Sequence, residues 1–228
     1  MNCQIITSRN FHEVDGLAVV IDVLRAFSSV CFALYNGAYA IIPVAEITDA
    51  YLLKKKNPSY ILIGERNGVK PEGFDHNNSP AEIENVNFQN KMVILATSSG
   101  TKGLIESIDK TDEIITASFV NIQAVINYIG SQTSHKNISL ICTDYRYQDN
   151  EDYQCALYIK HILENKHVNF HTIKNKLKNH PSTHGFLKNP LTKYSKRDFN
   201  LCMDIDRFNF VVKAQKEKEV IYLKKIQI

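Results

Sequence analysis

Repeated alternation of short apolar runs with stretches of helical spacing constrains this chain more than any other feature. Leu17 to Ile21 (LAVVI) is continuously apolar, as in a strand buried on both faces. Ala40 to Val44, Tyr60 to Gly64 (YILIG), Met92 to Ala96 (MVILA), Glu113 to Thr116 and Asn137 to Cys142 (NISLIC) read as further strands. Helical spacing fills Ala26 to Asn36, where Gly37 offers a left-handed stop. It returns at Ile47 to Lys56, Thr101 to Ile108, Asn121 to Ser131 and Glu151 to Glu164. Such repetition predicts an α/β protein, a three-layer α/β/α sandwich whose largely parallel or mixed sheet is covered on both faces. With 228 residues, a single domain over residues 1–228 is expected.

Beyond Lys166 the pattern weakens. Lys174 to Arg197 holds seven Lys or Arg and no acid, interrupted by Pro181, Gly185 and Pro190, and reads as a loop excursion. Phe208 to Val212 and Glu219 to Leu223 read as two strands of a hairpin at the sheet edge.

Charge is nearly balanced, 27 Lys plus Arg against 24 Asp plus Glu, which argues against nucleic acid as the partner. Within the basic stretch, Tyr194 and Phe199 would be the stacking candidates, but a solvated loop is the simpler reading. No apolar run approaches the roughly 20 residues that cross a bilayer, and the opening MNCQIITSRNF lacks the features of a signal peptide. The expected location is the cytoplasm, with no membrane partner. Five scattered cysteines without a CxxC pair point to reduced thiols, with Cys31, Cys142 and Cys155 in the core. No HExxH motif is present, and a histidine metal site is not expected.

In open α/β sheets ligands bind beyond the carboxyl ends of the strands. Here five such ends carry polar residues: Asp22-Val23-Leu24-Arg25, Glu65-Arg66-Asn67-Gly68, Thr97-Ser98-Ser99-Gly100-Thr101, Ala117-Ser118-Phe119-Val120-Asn121 and Thr143-Asp144-Tyr145-Arg146. Asp22, Glu65, Asp75, Asp144, Glu151 and Asp152 are hard oxygen ligands suited to Mg²⁺. Arg25 and Arg66 offer planar forks for phosphate or carboxylate. The Thr97–Thr101 turn, opening a helix, offers hydroxyls and backbone amides to an anion. Each element also has a plain structural reading. Asp22 suits a helix N-cap, Thr97–Thr101 a capping turn, Glu65 with Arg66 a surface pair, and Glu151–Asp152 the first turn of a helix. The joint pattern carries the functional expectation.

At these residues the chain resembles the 2-phosphosulfolactate phosphatase family. The similar blocks are IDVLRAFSS (Ile21 to Ser29), NGA followed by IIPV (Asn36 to Val44), IGERNGVKPEGFDHNNSP (Ile63 to Pro80), TSSGTKGL (Thr97 to Leu104), ASFVNIQA (Ala117 to Ala124) and NEDYQCA (Asn150 to Ala156). A weaker echo spans Asp198 to Val212, and the block ending at Pro80 is the most specific. The resemblance implies a three-layer α/β/α fold and a Mg²⁺-dependent release of phosphate from 2-phospho-3-sulfolactate. In organisms with that pathway, the step belongs to coenzyme M biosynthesis. It implies a small anionic phosphoester as substrate, and a homodimer is compatible with it.

The expected catalytic residues are Asp22, Arg25, Glu65 and Arg66, and the expected metal ligands Asp22, Glu65, Asp75 and Asp152. Lys70, Asn78, Ser79, Thr97, Ser98, Ser99, Gly100, Thr101 and Asn121 would bind substrate, with Lys102 or Arg146 as further cations. Direct attack by water is favoured over an aspartyl-phosphate at Asp22. Leu24 stands where the Asp-x-Asp pair of haloacid-type phosphatases has its second acid. The alternative is a non-catalytic binder of small phosphorylated metabolites.

Overall fold

A computed structural model describes residues 2–132, 136–144, 146–147, 149–188 and 195–227. Its strands are β1 (Asn2–Ile6), β2 (Leu17–Ile21), β3 (Ala40–Val44), β4 (Ile61–Gly64), β5 (His76–Asn77), β6 (Met92–Ala96), β7 (Glu113–Ala117), β8 (Asn137–Cys142), β9 (Val211–Glu217) and β10 (Val220–Ile226). Its helices are α1 (Ala26–Tyr35), α2 (Ile47–Lys56), α3 (Pro80–Ile83), α4 (Gly100–Ser107), α5 (Ile122–Ser131), α6 (Glu151–Leu163), α7 (Phe170–Lys178), α8 (His184–Leu187) and α9 (Lys196–Cys202). One mixed sheet runs β1-β8-β2-β7-β9-β10-β3-β6-β4-β5. Helices cover it in a three-layer α/β arrangement.

Strict alternation along the strands sorts the layers. Ala18 and Val20 of β2, with Ile41, Val93 and Leu95 of the other half, face Phe27, Val30 and Leu34 of α1 and Leu104 of α4. Leu17, Val19 and Ile21 face the opposite way, onto α5, α6 and α7. Ile42, Val44 and Ile94 pack under α2. Helix α4 touches both β2 and β3, so it lies across the two halves of the sheet.

The C-terminal hairpin departs from expectation. β9 pairs antiparallel with β7, and β10 antiparallel with β3, so the hairpin sits at the centre of the sheet and not at its edge. Alternating burial at Val212, Ala214 and Leu223 reports a covered strand but not which neighbours cover it. Lodged there, the hairpin closes the exposed edge of each parallel half. The true edges are β1, whose mixed NCQII segment escaped assignment, and the two-residue β5.

Three antiparallel steps across the hairpin leave the two parallel halves running in opposite directions. Twist of roughly 20–25° per strand accumulates over the steps from β2 to β6. The ends of β2 and β6 meet, since Asp22 after β2 and Ser99 after β6 lie within 3.3 Å of one another.

The basic stretch is helical over much of its described length, which corrects the loop expectation. Asn169 caps α7 by accepting from Thr172 N at 3.3 Å, and Ile173 and Leu177 are buried on one face. Pro181 opens a 3-10 turn, and Ser195 caps α9. Phe199 is buried and cannot stack on a base; Tyr194 lies outside the described residues. All five cysteines are free. Among the described residues no helix is long and apolar enough to cross a membrane.

Candidate active site

A cleft of about 590 Å³ opens where the ends of β2, β4, β6 and β8 converge. Its walls include Asp22, Leu24 and Arg25 after β2, and Glu65, Asn67 and Gly68 after β4. Thr97, Ser98, Ser99 and Lys102 follow β6, and Thr143, Asp144 and Arg146 follow β8. Asn78 also lines the cleft. These strand ends were expected at one rim of a largely parallel or mixed sheet; they line one cleft although the two parallel halves run in opposite directions.

Asp22 has two faces. Its Oδ1 accepts from Ala26 N at 2.9 Å and so braces the start of α1, although the N-cap position itself is taken by Arg25 and not by Asp22. Its Oδ2 accepts from Ser99 Oγ at 3.3 Å and Thr143 Oγ1 at 3.2 Å. Burial pushes the Asp22 carboxyl up to about 6, and the charge of Asp144 adds to the rise. Behind it Asp152 is fully buried, its Oδ1 accepting from Val23 N at 2.8 Å and its Oδ2 from Asp144 N at 3.0 Å. Thr143 Oγ1 is also 3.3 Å from Asp152 Oδ2, so one hydroxyl proton faces two carboxylates. Burial, with Asp22 and Glu151 nearby, holds the Asp152 carboxyl well above its ordinary range. Glu151, accepting from Ser182 Oγ at 2.6 Å, is pushed up to about 7, again chiefly by burial.

This wall concentrates negative charge away from water. Arg146 answers one member, its Nη2 lying 2.6 Å from Asp144 Oδ2. Among the described residues no three His, Cys, Asp or Glu side chains group as a ready-made metal cage. Mg²⁺ does not demand one, since it is commonly held by one or two carboxylates, water and substrate phosphate. Asp22 and Asp144 fit that pattern: both line the cleft, and Asp22 is a buried acid whose charge a cation would offset.

The titration has a direct consequence for stability. Asp22 and Glu151 rise from ordinary values of 3.8 and 4.5 to about 6 and about 7, so the native state keeps protons that the unfolded chain releases. Their contribution is fully present below those ordinary values and is lost as pH rises through 6 to 7. In EDTA, the urea midpoint attributable to these groups is therefore expected to fall between about pH 4 and about pH 7, and Mg²⁺ should flatten that slope. A slope of the opposite sign that disappears in the Asp22→Asn variant would contradict the burial of this charge.

Arg25 lies in the wall with its side chain 2% exposed. Its Nη1 donates to Asp198 Oδ2 at 3.0 Å, and its guanidinium carbon stands 6.0 Å from the centre of the Phe186 ring. The Leu24–Arg25 peptide is cis. Lys102 lines the cleft from the first turn of α4, 3.8 Å from Glu106.

Glu65 serves as a brace between loops. Its Oε1 accepts from Ser98 N at 2.7 Å and its Oε2 from Gly68 N at 2.5 Å. Glu65→Gln turns an NH₂ group against one of those backbone donors. A loss of about 1–3 kcal/mol in stability and a fall in activity of about tenfold or more are expected. Thermal melts and phosphate-release kinetics read both. Thr97 Oγ1 accepts from Thr101 N at 3.2 Å, which ties the Thr97–Thr101 turn to the start of α4. The buried Asn78 lines the cleft, and its Oδ1 has no hydrogen-bond partner among the described residues. Cys142 also lines the cleft, but burial and the charges of Asp152 and Glu151 hold its thiol high, so it is no thiolate nucleophile.

Several expected residues do not reach this cleft. Asp75 Oδ2 accepts from Leu62 N at 2.8 Å and pairs with Lys54, away from Asp22, so the structure does not bring it into the acidic wall. Lys70 points at Asp75 O, 3.4 Å away, from an exposed loop. Arg66 donates to Glu65 O and Ala45 O and lines a neighbouring recess. Ser79 caps α3 and donates to Asp198 Oδ1 at 2.7 Å. Asn121 turns inward, accepting from Ser118 N at 3.1 Å in a capping box. Thr101 is buried under its own turn, donating to Thr97 O at 3.0 Å. Asp152 stands behind the wall and holds Asp144 in place. Asp198, by contrast, was not among the expected site residues: it opens the weaker echo from Asp198 to Val212, just after the basic stretch and 173 residues from its partner Arg25.

A family model described as 2-phosphosulpholactate phosphatase matches residues 3–217. A protein of Caldicellulosiruptor saccharolyticus described as a probable 2-phosphosulfolactate phosphatase is 40% identical over 166 residues, 68% of each chain. One from Thermotoga petrophila with the same description is 46% identical over 125 residues, 55% of this chain and 52% of its own. One from Thermoplasma acidophilum, again so described, is 30% identical over 194 residues, 85% of this chain and 83% of its own. In the Thermotoga matches the chain spans about half the relative's length. With the family model covering nearly all of it, this chain belongs to the 2-phosphosulpholactate phosphatase family.

Proposed function

We propose that this protein is a Mg²⁺-dependent phosphoric monoester hydrolase acting on 2-phospho-3-sulfolactate or a related 2-phospho-hydroxyacid, in the cytoplasm. The observation that carries the reading is the meeting of Asp22 Oδ2 with Ser99 Oγ at 3.3 Å and Thr143 Oγ1 at 3.2 Å in a cleft that Arg25 also lines. An acid, a hydroxyl-rich helix start and a guanidinium around one space are the equipment of phosphoryl transfer, which depends on positioning and charge stabilisation.

Asp22 and Asp144 would hold the metal, with Asp152 fixing Asp144 from behind. When bound, Mg²⁺ polarises the phosphoryl group and offsets the charge that develops on its oxygens. Arg25 and the start of α4 bind the phosphate, and Ser98, fixed by Glu65, keeps that turn at its place. Lys102 and Arg146 extend positive charge to the cleft mouth, where a second anionic group of the substrate would lie. In the reaction a water oxygen bonds to phosphorus and the bond to the ester oxygen breaks; the hydroxyacid oxygen takes up a proton. Leu24, not an acid, lines the cleft two residues from Asp22, so direct attack by water is preferred to a phosphoenzyme.

A phosphate-release screen over 2-phospho-hydroxyacids, with Mg²⁺ and with EDTA, tests this. Metal-dependent release with preference for a substrate bearing a second strong anion is expected. Binding of such compounds without any release would support the non-catalytic alternative instead.

A further inference from the structure

We propose that Asp198 is a positioning residue for the reaction, acting through Arg25; the proposal rests on the reading of Arg25 as a phosphate-binding group. The two side chains form a salt bridge at 3.0 Å with exposures of 2% and 1%, so neither charge is screened by water. Asp198 does more than neutralise. Its Oδ1 accepts from Ser79 Oγ at 2.7 Å and from Ala81 N at 2.9 Å, both at the start of α3. Two donors thus hold one oxygen, and the other oxygen is directed at Arg25 Nη1. The Phe186 ring stands beside the same guanidinium. A long, flexible side chain is thereby fixed in one orientation at the cleft wall.

The geometry also explains why a segment remote in sequence belongs to the site. Helix α9 carries Asp198 in its first turn and packs against α3 and the 3-10 turn at Phe119–Asn121. The specific block ending at Pro80 and the Asp22–Arg25 segment are therefore joined through one carboxylate. Pre-set orientation of a guanidinium lowers the ordering cost of binding an anion, and that is the contribution assigned to Asp198.

Asp198→Asn is the discriminating change. Its Oδ1 keeps both donors from α3, while its NH₂ faces the guanidinium in place of an acceptor. Affinity for inorganic phosphate, measured by calorimetry with Mg²⁺ present, and kcat/KM are each expected to fall by about tenfold or more. Arg25→Ala should cost at least as much, and the double variant should bind phosphate no more weakly than Arg25→Ala alone, because Asp198 acts only through Arg25. Where Asp198→Asn does not fold, Ser79→Ala serves: it removes one of the bonds that fix Asp198. It should weaken phosphate binding measurably with Arg25 present and not in the Arg25→Ala background.

Equal losses with and without Arg25, or unchanged phosphate affinity alongside a lowered melting temperature, would overturn the positioning role and leave the phosphatase reading standing. Unchanged phosphate affinity in Arg25→Ala would overturn both.

Discussion

Asp22→Asn is expected to lower Mg²⁺-dependent phosphate release by about 10³-fold while leaving the fold intact or slightly more stable in EDTA. The two effects have opposite signs for one reason. Asparagine retains an oxygen that can accept from Ala26 N, so the start of α1 survives. The buried charge on Oδ2, raised in energy by burial and by Asp144, is removed. Ser99 and Thr143 hydroxyls can turn to accept from the new NH₂ group. A group that destabilises the cation-free protein and is needed for turnover is what a site built around a cation requires. Stabilisation by Mg²⁺ should shrink in the same variant, and thermal melts with and without the ion read this independently of catalysis.

The second large effect concerns a residue without a side chain. In Gly100→Ala, the new Cβ would stand 2.6 Å from Asp22 Oδ2 and 2.7 Å from Ala26 Cβ. The carboxylate can swing aside, but Ala26 Cβ is part of the buried start of α1 and has little freedom. Either response displaces Asp22 from Ser99 and Thr143. Overpacking of this kind costs about 1–3 kcal/mol, and a fall in kcat/KM of about 10²-fold or more is expected from the displaced catalytic geometry. Gly130→Ala is the matched control. Nothing lies within 4 Å of its Cβ position near the end of α5, so a gain of up to about 1 kcal/mol in stability with unchanged activity is expected. Equal activity in both glycine variants would mean that the contact between α4 and Asp22 has no catalytic importance.

Much of the fold was legible because burial on both faces leaves a simple trace. LAVVI, MVILA and NISLIC became strands at the expected residues, and α2 spans its expected range from Ile47 to Lys56. The hairpin was recognisable as paired strands but misplaced. Apolar patterning records that Val212 and Leu223 are covered, whereas their pairing with β7 and β3 depends on contacts across the whole chain. The strand NCQII carries too much polarity to stand out, because an edge strand is only partly buried.

The site divides the same way. Asp22, Thr97, Ser98 and Ser99 directly follow strands, and that position alone brought them to the cleft. The same rule overcounted at Asn121, where a polar residue after a strand turned back to cap Ser118. Asp75 and Ser79 sit in the most specific block, yet one supports the backbone at Leu62 and the other holds Asp198. A motif records that residues are needed together without stating which touch the ligand. Asp198 opens the weaker echo from Asp198 to Val212, but that echo does not reveal its role, which exists only once Arg25 and α3 have packed around it.

Mn²⁺ diffused with inorganic phosphate into crystals of the protein, and located by its anomalous scattering, shows whether the cleft at Asp22 holds metal and phosphate together. The metal is expected beside the Asp22 and Asp144 carboxylates, with phosphate between it, Arg25 and the start of α4. Metal and phosphate found together at another place on the molecule, or phosphate bound far from Asp22, would contradict it.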